Sequence, residues 1–333
     1  MPHLRRMLPL TILAVLVVTV QVAASASGRD YYLTQATMAA YYTVVALGLS
    51  LLMGYAGQVS LGHGAFFALG GYTSAVLTTH GISPGWAFLA ALLSAFVAAV
   101  LIGFPALRLR GHYLAMATLG FGLIIYRLVL GSNLTGAADG INAVPPWKLV
   151  GSFAICGQRE LRLPNYYFAW GFVLLVFLLL QNLLDSRQGR ALRAIHDHEL
   201  AANATGVNTA AMKLQVFVIS ALLAAAAGSL LTHFTGGIGP SEAGAMKSVR
   251  YVSLVAVGGM GNLVGVLAAS ALLTFLSLRG CFGTYDAAVF GAILIAVVSL
   301  APAGPFEPLH RWLQQRRAAR AAARPEGGAH GPA

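Results

Sequence analysis

Apolar runs of about twenty residues recur along this chain with polar breaks between them, and no other feature constrains its fold as strongly. An α-helix rises about 1.5 Å per residue, so about 20 residues cover the roughly 30 Å hydrocarbon core of a bilayer. The runs fall at Met7–Ala23, Ala36–Met53, Ala65–Thr79, Trp86–Leu107, His112–Leu130, Tyr166–Leu184, Lys213–Phe234, Val249–Val257, Leu263–Leu278 and Ala287–Ala301. They predict an all-α, polytopic membrane protein of about ten membrane segments. Hydrophobic residues are 58% of 333 and charged ones 9%, where soluble domains carry roughly 25% charge. The expected organisation is one membrane domain over residues 1–301, with a basic, disordered tail over 302–333.

The first run follows Arg5 and Arg6 and ends in a string of small residues, a pattern shared by an uncleaved first helix and a secretory signal peptide. The spans that follow favour the helix. Val249–Val257 is too short to cross alone and reads as a half-helix or re-entrant piece, which needs its end buried in protein or lining a cavity. Counting it and Leu263–Leu278 as two crossings puts thirteen of the lysines and arginines, the tail among them, on the side of the N-terminus and seven opposite. By the positive-inside rule both termini are then cytoplasmic. The net charge of +11 is thus a topology signal, and nucleic acid is not an expected partner.

None of the ten acidic residues falls in the middle of a proposed span, which counts against an ion-coupled carrier. The stretch Gly239–Ser248 misses the phosphate-loop spacing by two residues and lies in an outer loop by this topology. No catalytic constellation is present, and no metal site is expected, because His63 and His112 lack a partner at ligand spacing. With two cysteines, Cys156 and Cys281, a disulfide scaffold is excluded.

Two features remain. Glycines interrupt apolar sequence in both halves: Gly57, Gly62 and Gly64 beside Gln58, Ser60 and His63, and Gly258, Gly259 and Gly261 beside Asn262. Small residues let helices pack closely, and paired interruptions also predict broken helices around a path, whose free amides suit a carboxylate. Between the sixth and seventh spans lies a polar loop over 185–212. Within it Arg190, Arg193, Glu199 and Ala202 recur at helical spacing and Gly206 stands as a helix stop. Such a loop reads as a docking element on the cytoplasmic face or as a helix lying on the membrane surface.

Four ordered blocks carry a resemblance: GYAGQVSLGHGAFFALGGY (Gly54–Tyr72), LTGAADGI (Leu134–Ile141), GRALRAIHDHELAANATGVN (Gly189–Asn208) and VAVGGMGNLVGVLAASALL (Val255–Leu273). Together they resemble the LivM-type permeases of branched-chain amino acid ABC importers, over about Ala36 to Ala301. The resemblance implies a bacterial inner-membrane importer. Its partners would be a LivH-type second permease, two cytoplasmic ATPases that bind the ATP and magnesium, and a periplasmic substrate-binding protein. It also implies that Glu199, Ala201, Ala202 and Gly206 form the coupling helix that docks on an ATPase. Leu200 interrupts the family's Glu-Ala-Ala triplet here, and His196-Asp197-His198 replaces a more charged stretch. Related permeases serve urea, aromatic amino acids and other small carboxylates, so the solute class stays open.

Overall fold

The computed structural model describes residues 30–106, 112–150 and 153–300, with scattered positions between 11 and 28. The expected tail over 302–333 and most of the first run lie outside the described residues. The other nine expected segments are helices. We number them α1 (Tyr31–Tyr55), α2 (His63–Thr79), α3 (Pro84–Ala106), α4 (His112–Gly131), α5 (Arg162–Asp185), α8 (Thr209–Thr235), α9 (Ala245–Gly258), α10 (Leu263–Leu278) and α11 (Asp286–Leu300), with α6 (Arg187–Asp197) and α7 (Glu199–Ala204) between α5 and α8. Five of them, α1, α3, α4, α5 and α8, are long and apolar enough to cross a membrane alone.

α1 is apolar all round and 94% buried across its most apolar window, whereas α3 and α4 are only 28% and 22% buried. A helix without a polar face belongs in the centre, and half-exposed apolar helices belong against lipid. α1 accordingly packs on α5, α8, α9 and α10, while α2 lies along α8. That last contact is backbone to backbone. A Cβ on Gly70 would stand 2.2 Å from the Ala225 carbonyl oxygen, and one on Gly228 would stand 2.0 Å from that of Phe67. Lipid supplies no hydrophobic drive between helices, so close approach over small residues supplies the dispersion contact instead.

The long loop after α4 folds into two small ribbons. β2 (Trp147–Val150) pairs with β3 (Phe153–Ile155), and β1 (Ile141–Asn142) pairs with β4 (Gly237–Ile238) across nearly a hundred residues. His233 of α8 pins this loop: Nδ1–H donates to the Pro145 carbonyl at 2.9 Å, and Nε2 accepts from the Ser74 hydroxyl at 2.9 Å. Cys156 is buried, Cys281 is exposed, and both are free thiols.

Candidate functional site

The docking loop is two helices rather than one. α6 starts at Ser186, whose side chain accepts from the amides of Gln188 and Gly189, and it buries Gly189, Leu192 and Ile195. That spacing of three lays one face of α6 across the ends of α1, α5 and α8. The chain then kinks at His198, which adopts an extended conformation, and α7 follows. Its end is a Schellman motif: Gly206 takes φ +88°, its amide donates to Asn203, and the Val207 amide donates to Ala202. Of the six residues assigned to docking, Arg190, Arg193, Ala201 and Gly206 face outward. Ala202 is buried, and Glu199 turns inward to accept from Lys213 Nζ of α8 at 2.6 Å. Leu200, which breaks the family triplet, is 73% exposed and projects beside Ala201.

Directly above α6 the chain is unwound. Ala56–Gly62 runs without helix from the end of α1 to the start of α2, and a Cβ on Gly57 would meet His196 Nδ1 of α6 at 3.2 Å. The freed amides find partners: Gln58 donates to the Leu52 carbonyl, Leu61 to the Thr118 hydroxyl at 3.0 Å, and Gly62 to the Ser60 hydroxyl. Gln58, Ser60 and His63 are all buried. His63 sits opposite Ser220, near the midpoint of α8. Ser220 spends its hydroxyl proton on the Phe217 carbonyl, so it accepts from His63 Nε2–H at 3.0 Å, and Nδ1 accepts from Ser60 at 3.1 Å. Both ring nitrogens are thereby occupied, which is the structural role rather than a ligand's.

The second break lies where the sequence places it, between α9 and α10. Gly258–Asn262 is a tight turn between α9 and α10 at the C-terminal end of α1. Ser50 and Tyr55 donate to the carbonyls of Met260 and Gly261, and Asn262 caps α10 by accepting from Gly265 at 3.1 Å. A Cβ on Gly258 would stand 2.3 Å from Val266 Cα, so glycine there serves packing. A further stretch without α-helix lies upstream, over Gly236–Gly244. This segment leaves β4, makes a turn of 3-10 helix at Pro240–Ala243 against α2 and α4, and descends to the start of α9. There the Gly64 amide donates to the Ser248 hydroxyl at 3.1 Å, joining the N-terminal ends of α2 and α9. Hydropathy misses this descent because the segment is polar and glycine-rich.

With it descend the charges. Gly239–Ser248, expected in an outer loop, brings Glu242 and Lys247 to Tyr42, near the midpoint of α1. Lys247 Nζ donates to Glu242 at 2.7 Å, and the Tyr42 hydroxyl lies 3.3 Å from both carboxylate oxygens. One turn along α9, Arg250 donates to Asp286 at 3.2 Å and covers the Phe290 ring, while Ser277 donates to the other Asp286 oxygen. All four charged side chains are less than a third exposed. Among the described residues no acidic residue falls in the middle of a span, as expected, yet Glu242 is carried to the level of Tyr42, so the argument against a carrier that rested on an absent carboxylate loses its ground. None of the four ion-pair residues was legible in hydropathy, because Glu242 and Lys247 lie in the polar, glycine-rich stretch leading into α9.

Comparison with known proteins settles the family. Residues 31–298 match the family described as the branched-chain amino acid transport system permease component. The chain is 34% identical over 291 residues to the branched-chain amino acid permease protein LivM of Salmonella typhimurium, covering 81% of this chain and 68% of that one. It is 33% identical to LivM of Escherichia coli K12 over similar shares, and 28% identical to the LivH permease of the same strain over 82% of this chain and 95% of LivH. No solved structure matches. By these matches the chain belongs to the permease components of the branched-chain amino acid transport systems, as a multi-pass membrane subunit of an importer.

Proposed function

We propose that this chain is the LivM-type subunit of an ATP-driven importer for branched-chain or related hydrophobic amino acids in a bacterial inner membrane. A LivH-type permease stands beside it, two ATPases bind ATP and magnesium beneath it, and a periplasmic binding protein delivers the solute. The chain itself holds no cofactor, its termini are cytoplasmic, and lipid is its remaining partner. The observation that carries this reading is the loop of α6 and α7: its buried face seats it on three helices, and its outer face presents Arg190, Arg193, Leu200 and Ala201.

The mechanism is mechanical. Closure of the ATPases moves α6 and α7, and His196 of α6 abuts Gly57 of the unwound segment. Movement of the loop is thus passed to Ser60, His63 and the start of α2 without crossing a flexible linker. Purification of the tagged chain in mild detergent tests the assembly. Two ATPases and a second permease should co-elute. A chain that elutes alone and still transports in vesicles under an ion gradient refutes the proposal in favour of an autonomous carrier.

A further inference from the structure

A cavity between α1, α9 and α10 is lined by Tyr42, Lys247, Arg250, Tyr251, Leu254 and Thr274. Its volume is about 10 Å³, room for one water molecule. Three of its lining residues hold buried polar atoms with no hydrogen-bond partner among the described residues: Arg250 Nη2 and the hydroxyls of Tyr251 and Thr274. Tyr251 and Thr274 are each 1% exposed. Packing alone does not select unpartnered hydroxyls, because each costs free energy that phenylalanine or valine would not. A guanidinium nitrogen and an ammonium only donate, and both hydroxyls can donate. The shared demand is for an acceptor, which one water meets in the space present and a carboxylate meets in an opened site.

The surrounding charges decide what carries that carboxylate. Lys247 is matched by Glu242 and Arg250 by Asp286, so the cluster is neutral. A lone anion entering it leaves one charge uncompensated where water is scarce, and an uncharged solute offers the donors no ionic acceptor. A zwitterion exchanges partners at constant net charge: its carboxylate takes the place of a protein carboxylate at the cations, and its ammonium takes the carboxylate released. Resting on the importer reading above, we propose that this cluster is where the permease receives a zwitterionic amino acid. Arg250, Tyr251 and Thr274 hold the carboxylate, while Glu242 and Asp286 are the counter-ions that close the site when no solute is bound. This choice sets amino acids apart from urea and from simple carboxylates. The space present admits one water, so the site must widen before an amino acid enters it.

The test uses the assembled importer, with both permeases and the ATPases, reconstituted with its binding protein. Tyr251→Phe and Thr274→Val each delete one unpartnered hydroxyl at nearly constant volume. Each should raise the KM of ATP-dependent leucine uptake about ten-fold, the loss of one hydrogen bond to a charged acceptor, with complex assembly and thermal stability retained. If the hydroxyls are only structural, both variants transport leucine as the wild type does and melt at the same or a higher temperature, which overturns the site. Thermal melting of the complex without binding protein then tests the class. Leucine should stabilise it, whereas isopentylamine and 4-methylpentanoate should not. An equal shift with the acid, or none with leucine, refutes the zwitterion assignment. A wild-type complex that fails to take up leucine with ATP refutes the importer reading instead.

Discussion

Gly189→Ala separates two physical expectations of opposite sign. Helix propensity favours alanine over glycine in a helix by about 1 kcal/mol, so the α6 sequence in isolation predicts a gain. In the folded chain a Cβ on Gly189 would lie 2.0 Å from the Leu184 carbonyl oxygen and 2.4 Å from Leu184 Cα. Ordinary contact begins at 3.4 Å, so the first turn of α6 must withdraw from the end of α5 by about 1.4 Å. Backbone cannot yield as a side-chain tip does. Overpacking of this kind costs about 1–3 kcal/mol, and the Ser186 cap, already 3.5 Å from the Gly189 amide, contributes about 1 kcal/mol that is lost with it. The net is a loss of about 1–3 kcal/mol, concentrated where α6 seats on the membrane helices. Amide exchange across 190–196 in the assembled complex reads this directly. At about 1.4 kcal/mol per factor of ten, protection should fall roughly ten-fold, with uptake falling alongside it. Gln188→Ala, on the exposed face of the same helix, gains propensity without the contact and should raise protection slightly. If Gly189→Ala also raises protection, the contact argument is refuted.

Other outcomes follow from the same geometry. Gly206→Trp should cut transport while the protein still reaches the membrane. A Cβ there meets open space, so the cost is the left-handed backbone, about 1–2 kcal/mol, and an indole on the docking face; normal uptake by this variant counts against docking. Lys213→Met removes the partner of Glu199 and should loosen α7 by roughly 1–2 kcal/mol, visible as faster exchange at 199–204 with α8 unchanged. Gly70→Leu should abolish folded protein on detergent size-exclusion, because the α2 and α8 backbones touch there, whereas Gly171→Ala, with nothing within 4 Å, should leave the melting temperature unchanged or higher.

Hydropathy and turn chemistry, read from the sequence alone, determined the all-α class, the positions of nine helices to within a few residues, the crossing at Val249–Leu278 as two pieces, and Gly206 as a helix end. These are local quantities: an apolar run must satisfy its own backbone in a bilayer, and a left-handed position favours glycine wherever it occurs. Family likeness was legible too, in four blocks of residues. Only the tertiary structure decided what each glycine packs against. Gly258 faces Val266, and Gly64 faces Ser248 and Glu242, which reach it from nearly two hundred residues away. The same holds for the charges. Glu242 and Lys247 sit in a polar, glycine-rich segment that sequence places outside, and they reach the midpoint of α1 because their pairing with each other and with the Tyr42 hydroxyl replaces the water they leave. Tyr42 lies 200 residues from Glu242, a separation that leaves no periodic trace, so this placement of the ion pairs exists only in the folded chain.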